Sequence, residues 1–196
     1  MIKRLFDIIG SFFGLIFAAI AYPLIALAIV IDDGFPVVVS LERISEGRII
    51  RVHKFRSMVR GAHAMKPELM SRNERADGPL FKMRHDPRVT KSGRVIRRFR
   101  LDELPQFWDV FMGRLSLVGP RPHEPGEVAA YPKEFKSITR AKAGLTGLSQ
   151  VSGASGLPFR RELELDLFYV EHASIWLDLK ILLKTVWLFI ADPTGV

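Results

Sequence analysis

Between Asp7 and Asp32 the chain carries no charged residue, and residues 8–31 are long enough to cross a bilayer core of roughly 30 Å at about 1.5 Å per helical residue. An apolar run of this length must be covered by lipid or by the rest of the protein, and every fold open to the chain has to accommodate it. Pro23 stands inside the run. A proline removes a backbone hydrogen bond and crowds the preceding turn, so the spacing predicts a helix kinked near Tyr22 and Pro23. The run is too long for the apolar region of a signal peptide and is not followed by a small-residue cleavage site. Lys3 and Arg4 precede it, while Arg43, Arg48, Arg51, Lys54 and Arg56 follow, so the positive-inside tendency draws both ends to the same side of a membrane. A re-entrant helix that enters and leaves one leaflet satisfies both flanks. A simple span and a buried core helix are the alternatives.

The remainder is strongly basic. A net charge of +8 favours an anionic partner, which leaves nucleic acid, an acidic lipid surface or a phosphorylated substrate. A hydrophobic fraction of 48% in so basic a chain turns the balance toward a membrane surface. With no cysteine, disulfides, thiolate metal sites and a thiol nucleophile are all excluded. The 196 residues suffice for one domain of ordinary size, hence one catalytic unit.

Past the apolar run, residues 35–41 and 48–55 read as two strands joined around Ser45, Glu46 and Gly47, with Lys54 and Arg56 on one face. Residues 60–92 are polar and broken by Pro67, Gly78, Pro79 and Pro87, which predicts short helices in a long connection with room for a lid. A short helix over 93–100 carries Arg94, Arg97 and Arg98, and a further helix is expected from Leu101 to Met112, stopped by Gly113. Residues 161–170 and 175–190 are also helical in pattern. The second, with Trp176, Trp187, Lys180 and Lys184, fits either an interfacial helix or a core-packing one with exposed lysines.

Asp102 and Glu103 fall at the expected start of a helix, where unsatisfied amides stabilise a carboxylate and attract a phosphate. Taken alone, such a pair is more often a plain helix cap. The segment Leu-Ser-Leu-Val-Gly-Pro-Arg-Pro at 115–122 changes the balance: two prolines fix the backbone around Arg121, whose guanidinium fork matches phosphate oxygens.

The stretch LDELPQFWDVFMGRLSLVGPRP over 101–122 resembles the signature of bacterial sugar transferases that act on polyprenyl phosphate. His53 to Met58 resembles that family's basic strand. Asp86-Pro87-Arg88 with Gly93-Arg94, the glycine-rich segment at 144–153, Asp166 with Tyr169, and Asp178-Leu179-Lys180 also match, so the resemblance covers nearly the whole chain. It implies an α+β fold: a small, mostly helical monotopic membrane domain with a short β-unit, an N-terminal re-entrant membrane helix over 1–33 and a cytoplasmic catalytic domain over 34–196 with interfacial C-terminal helices. The implied location is the cytoplasmic face of the bacterial inner membrane, on anionic lipid, with a homodimer as a further option and no role for nucleic acid.

The implied reaction moves a sugar 1-phosphate from a UDP-sugar to undecaprenyl phosphate and releases UMP. Asp102 is the implied nucleophile, forming a covalent phosphosugar; Glu103 assists with protons or metal; both carboxylates are the candidate ligands for Mg²⁺. Arg97 and Arg121 are expected at phosphates, and Asp166 and Tyr169 at the substrate. Lys54 and Arg56 are weaker candidates for the nucleotide or the lipid headgroup, equally readable as solvated strand charges. Ala143, Ser149 and Ala154 depart from the family pattern, and 153–156 reads as a more flexible loop than the family has, which bears on donor recognition rather than on the catalytic signature. Two rival readings stay open: a glycosyl transferase that releases UDP, and a non-catalytic basic membrane-surface or nucleic-acid-binding protein.

Overall fold

The computed structural model describes residues 2–75, 77–153 and 156–191; Ala154 and Ser155, at the centre of the loop singled out above, lie outside them. Helix α1 (Ile2–Asp33) is the one described helix long and apolar enough to cross a membrane. The element runs unbroken through Pro23. The helix lies along the rest of the protein, held at both ends. Near its start, the buried carboxylate of Asp7 accepts hydrogen bonds from Ser116 Oγ at 2.9 Å and from the Leu117 amide at 2.8 Å. A charge in an apolar helix needs such partners, because leaving it unpaired in a dry setting is costly. Lys3 and Arg4 reach further in. Arg4 donates to the carbonyls of Val110 and Phe111 at 2.7 and 2.6 Å, a cation placed on the last carbonyls of another helix.

The far end of α1 is closed by Arg56, which donates to the carbonyls of Asp33 and Gly34 and pairs with the Asp33 carboxylate at 3.1 Å. Asp32 accepts from the Ser92 amide in the first turn of α3 (Lys91–Arg98), whose Thr90 caps it by accepting from the Gly93 amide. Between these anchors, glycines on the inner face allow close approach. A side chain at Gly10 would collide with Leu117, and one at Gly14 with Phe107. The outer face stays bare: Phe13, Phe17, Ile20 and Leu24 are exposed.

Strands β1 (Val38–Ser45) and β2 (Arg48–Phe55) form the expected antiparallel hairpin, in register from Val38 opposite Phe55 to Ser45 opposite Arg48. Both loop residues, Glu46 and Gly47, have φ above +50°, as a two-residue turn with the twist of a hairpin requires. Short α2 (Lys66–Leu69) lies in the long connection that follows. α3 ends at Arg98, and Arg100 takes a left-handed conformation with φ of 53° that separates it from a single 3₁₀ turn, Leu101–Glu103. Only after Pro105 does α4 (Gln106–Phe111) begin. The continuous helix expected from 101 to 112 is thus two pieces. Arg100 redirects the chain, and Pro105, lacking an amide hydrogen, starts a fresh helix rather than extending the turn.

A second small sheet was not anticipated. β3 (Ser116–Val118) and β4 (Gly144–Thr146) pair in parallel, Ser116 opposite Gly144 and Val118 opposite Thr146. Three buried residues show no alternation, which is the pattern that reveals a half-exposed strand. α5 (Pro125–Ala129) and a 3₁₀ segment (Lys133–Arg140) fill the crossover, and α6 (Leu148–Val151) follows β4. α7 (Phe159–Glu171) and α8 (Ile175–Ala191) complete the fold. α8 buries Asp178 and Ile181 against the core around Val110, Leu115 and Val118, yet leaves Trp176, Leu183, Trp187 and Ile190 exposed. The chain is a mixture of helix and sheet in which α1 and α8 each turn an apolar face outward. Patches of this kind mark interaction surfaces rather than ordinary solvated ones.

Candidate active site

The 3₁₀ turn that begins at Leu101 carries Asp102 and Glu103, and the end of β2 brings Lys54 to both. Lys54 Nζ lies 2.7 Å from Glu103 Oε1 and 3.5 Å from Asp102 Oδ2. Adjacent residues on a helix point about 100° apart, so the pair acquires a common partner only because a strand from elsewhere reaches them. Their electrostatics diverge. Burial pushes the Asp102 carboxyl above the usual carboxylate range and the negative charge of Glu103 adds to this, with Lys54 and Arg97 offsetting only part. Burial would raise Glu103 as well, but the charge and hydrogen bond of Lys54, with Arg121 and Arg100 beyond, hold it below its ordinary value. Lys54 is held above its own, since the two carboxylates outweigh the burial that opposes its charge. One carboxyl is therefore more basic and the other is firmly ionised, a division suited to distinct roles.

Arg121 follows β3 on the proline-locked loop. Its backbone amide donates to Asp166 Oδ2 at 3.1 Å, while its guanidinium is exposed and forms no ion pair among the described residues. The positive charge is felt by Glu103, Glu162 and Asp166 together. Asp166 stands behind the loop, buried in α7. Burial raises its carboxyl to about 7 despite Ser149 and the Arg121 amide and charge, and Glu162 adds to the rise. Arg97 is exposed on α3 with its charge reaching Asp102 and Asp86.

Arg56 is not part of this cluster. It is buried at the end of α1, where it closes that helix instead of joining Lys54. Arg56 follows β2 directly, its amide donating to the Val37 carbonyl at 2.8 Å, and its side chain meets the end of α1 rather than the carboxylates. Tyr169 is buried too. Its hydroxyl donates to Asp178 Oδ1 at 2.7 Å and lies 3.1 Å from the Val118 carbonyl, while Lys3 pairs with Asp178 Oδ2 at 2.6 Å. These groups join α1, β3, α7 and α8 beneath the site, a setting that supports the Arg121 loop from behind and gives Tyr169 no surface from which to hold a substrate.

Two buried polar groupings escaped sequence reasoning. Asp109, fully buried in α4, accepts from the His53 amide at 2.8 Å, faces His53 Nδ1 at 2.8 Å and pairs with Arg114 at 2.9 Å. The signal available was an acid inside an otherwise apolar Phe-Trp-Asp-Val-Phe run, which implies a specific partner. His123 is buried 2.8 Å from the Tyr131 hydroxyl, and burial followed by the charges of Arg121, Arg43 and Arg75 lowers its imidazole to about 3. No feature of the linear pattern pairs these two rings.

Among the described residues no group of three or more histidines and acids could enclose a metal ion. Two adjacent carboxylates are a donor set that fits Mg²⁺, which keeps several waters and takes its remaining ligands from substrate phosphates.

A family model described as bacterial sugar transferase matches residues 1–192. Among curated proteins, the chain is 40% identical over 186 residues to the galactosyl transferase CpsE of Streptococcus agalactiae serotype III, covering 94% of the chain and 41% of that protein. It is 38% identical to the undecaprenyl-phosphate galactose phosphotransferase of Salmonella typhimurium, covering 94% and 39%. It is 33% identical to the exopolysaccharide production protein ExoY of Rhizobium meliloti, covering 95% and 84%. The chain thus spans about two fifths of the first two relatives and most of the third.

Proposed function

Because the chain belongs to the bacterial sugar transferase family, we propose that it is a phosphoglycosyl transferase that moves a sugar 1-phosphate from a UDP-sugar to undecaprenyl phosphate. The observation that carries this reading is the Asp102, Glu103 and Lys54 cluster with the exposed guanidinium of Arg121 in its field. Asp102, the more basic carboxyl, attacks the β-phosphorus of the donor. The bond between that phosphorus and the bridging oxygen breaks, UMP leaves, and an aspartyl phosphosugar remains. An oxygen of the lipid phosphate then attacks the same phosphorus, releasing Asp102 and forming a lipid diphosphosugar. Arg121 and Arg97 contact the phosphate oxygens, and Lys54 exchanges part of its pairing with the carboxylates for the incoming diphosphate. Asp102 and Glu103 would hold Mg²⁺, which when bound offsets phosphate charge.

The arrangement of α1 supports a re-entrant placement in the cytoplasmic leaflet of the inner membrane, with residues 34–196 as the catalytic domain. Its two ends are tied to one body through Lys3, Arg4 and Asp7 on one side and Asp32 and Asp33 on the other, so a bilayer separating them would require those bonds to break. The exposed apolar faces of α1 and α8 suit the interfacial region, where tryptophans such as Trp176 and Trp187 are favoured.

The test is to incubate the membrane-reconstituted protein with a UDP-sugar, Mg²⁺ and undecaprenyl phosphate. UMP with a lipid diphosphosugar is the expected product. UDP would replace this mechanism by direct glycosyl transfer, and neither nucleotide would leave a binding protein.

A further inference from the structure

Two chain segments build the charged cluster, β2 with Lys54 and the stretch 101–111 with Asp102 and Glu103, and they meet a second time away from it. Asp109 of α4, fully buried, accepts from the His53 amide through Oδ2 at 2.8 Å, while its Oδ1 faces His53 Nδ1 at 2.8 Å and Arg114 at 2.9 Å. β2 has a strand neighbour on one side only, so its other edge is free for this contact. The carboxylate turn runs into α4 as one piece of bonded backbone. The Leu104 amide donates to the Leu101 carbonyl, that of Phe107 to Leu104 and that of Trp108 to Pro105, at 3.2, 3.2 and 3.1 Å. Val52 and Val110 join the same two segments in one buried cluster, but apolar packing has no direction and would tolerate a slide. A carboxylate bonded to one particular amide fixes the register.

An aspartate that holds a histidine can orient the ring for proton transfer, but the alternation of a strand argues against that role here. Lys54 meets the carboxylates, so the ring of its neighbour His53 points to the opposite face, where it lines an apolar space beside Leu15, Tyr22 and Trp108. What remains is the backbone contact, and the bonded amide belongs to the residue immediately before Lys54. Resting on the phosphoglycosyl transfer reading above, we propose that Asp109 is a positioning residue whose bond to the His53 amide sets the distance between Lys54 and the carboxylates of Asp102 and Glu103. Without that bond the hairpin shifts against α4, Lys54 no longer reaches both acids, and a positive charge is misplaced where the donor diphosphate is attacked.

The experiment uses the full chain in phospholipid nanodiscs. Asp109→Ala removes the acceptor, and Asp109→Asn keeps an oxygen for the amide. His53→Ala removes the ring and leaves the amide, and His53→Pro removes both. The first readout needs no turnover: with donor and divalent cations absent, a water-soluble carbodiimide joins Lys54 to Glu103 where amine and carboxylate touch. Its yield, read by peptide mass spectrometry, should fall roughly fivefold or more in Asp109→Ala and His53→Pro and stay within about twofold of wild type in Asp109→Asn and His53→Ala. The crosslink between Lys66 and Glu124, a pair 2.8 Å apart elsewhere in the fold, should be unchanged in all four and so reports general loosening. Phosphosugar adduct formed from the donor should follow the same order, with a loss of roughly tenfold or more in the first pair. A wild-type crosslink in Asp109→Ala, equal losses in His53→Ala and His53→Pro, or a wild-type adduct rate where the crosslink is lost would each overturn the assignment. If Asp109→Ala is not recovered folded, the two His53 variants decide. If the wild type forms no adduct, the reaction reading falls, and the crosslink order alone decides whether Asp109 places Lys54.

Discussion

Lys54 and Glu103 form the shortest charged contact of the candidate site, 2.7 Å between Nζ and Oε1, with Lys54 supplied by a strand and Glu103 by a one-turn helix 49 residues away in sequence. Removing the cation leaves two partly exposed carboxylates without their nearest counter-charge. Lys54→Met should therefore lower kcat/KM by roughly 100-fold or more, as losses of a positioned charge in dry sites do, whereas Lys54→Arg should retain a measurable fraction. UMP release at fixed donor concentration measures both.

Asp102→Asn removes the nucleophile while preserving size. Intact-protein mass after incubation with donor alone should show a phosphosugar adduct on the wild type and none on this variant. Glu103→Gln should still accumulate some adduct, because the attacking oxygen remains. An adduct on Asp102→Asn would move the nucleophile elsewhere.

Asp7→Ala deprives the buried Ser116 hydroxyl and the Leu117 amide of their acceptor. Each orphaned donor costs about 1–3 kcal/mol, so thermal unfolding in detergent should shift down by several degrees or more. Asp7→Asn keeps an acceptor and should lose less. Equal losses in the two variants would mean that charge, not hydrogen bonding, holds α1 in place.

Asp166 gives stability a distinctive dependence on pH. Its folded-state carboxyl is raised to about 7 from an ordinary 3.8, so the folded protein binds this proton more tightly than the unfolded chain does. The contribution is fully present below pH 3.8 and is lost as pH rises through 7. Across that window it amounts to up to about 4 kcal/mol, with each pH unit worth about 1.4. Asp166→Asn cannot ionise and retains an oxygen for the Arg121 amide. Denaturant unfolding between pH 4 and pH 8 should show this variant gaining on the wild type as pH rises, and parallel curves would contradict the shift.

Legibility in sequence followed the range of the interactions involved. The hairpin was readable because alternation along Arg48 to Phe55 and a Glu-Gly turn are local properties. α7 and α8 were readable for the same reason, through their helical period. Asp102 and Arg121 are legible as a motif, yet nothing local distinguishes Lys54, the cation that joins the carboxylates, from Arg56, which the structure sends to the end of α1. Two residues apart on the chain, they differ in fate because their partners come from different elements, the 3₁₀ turn for Lys54 and the end of α1 for Arg56. The β3–β4 pair and the His53–Asp109 contact left no periodic trace, since each is made of short segments whose partners are distant.

What the sequence by itself determined is the presence of a long helix without charge between Asp7 and Asp32, a basic remainder, a carboxylate pair and a proline-locked arginine. These follow from composition and spacing, and local chain stiffness enforces them. Tertiary structure alone decided that both ends of that helix are fastened to one body and that Lys54 rather than a helix dipole faces Glu103. Each of these depends on pairing polar groups that are far apart in the chain, and burial makes such pairing obligatory without the sequence stating which partners will meet.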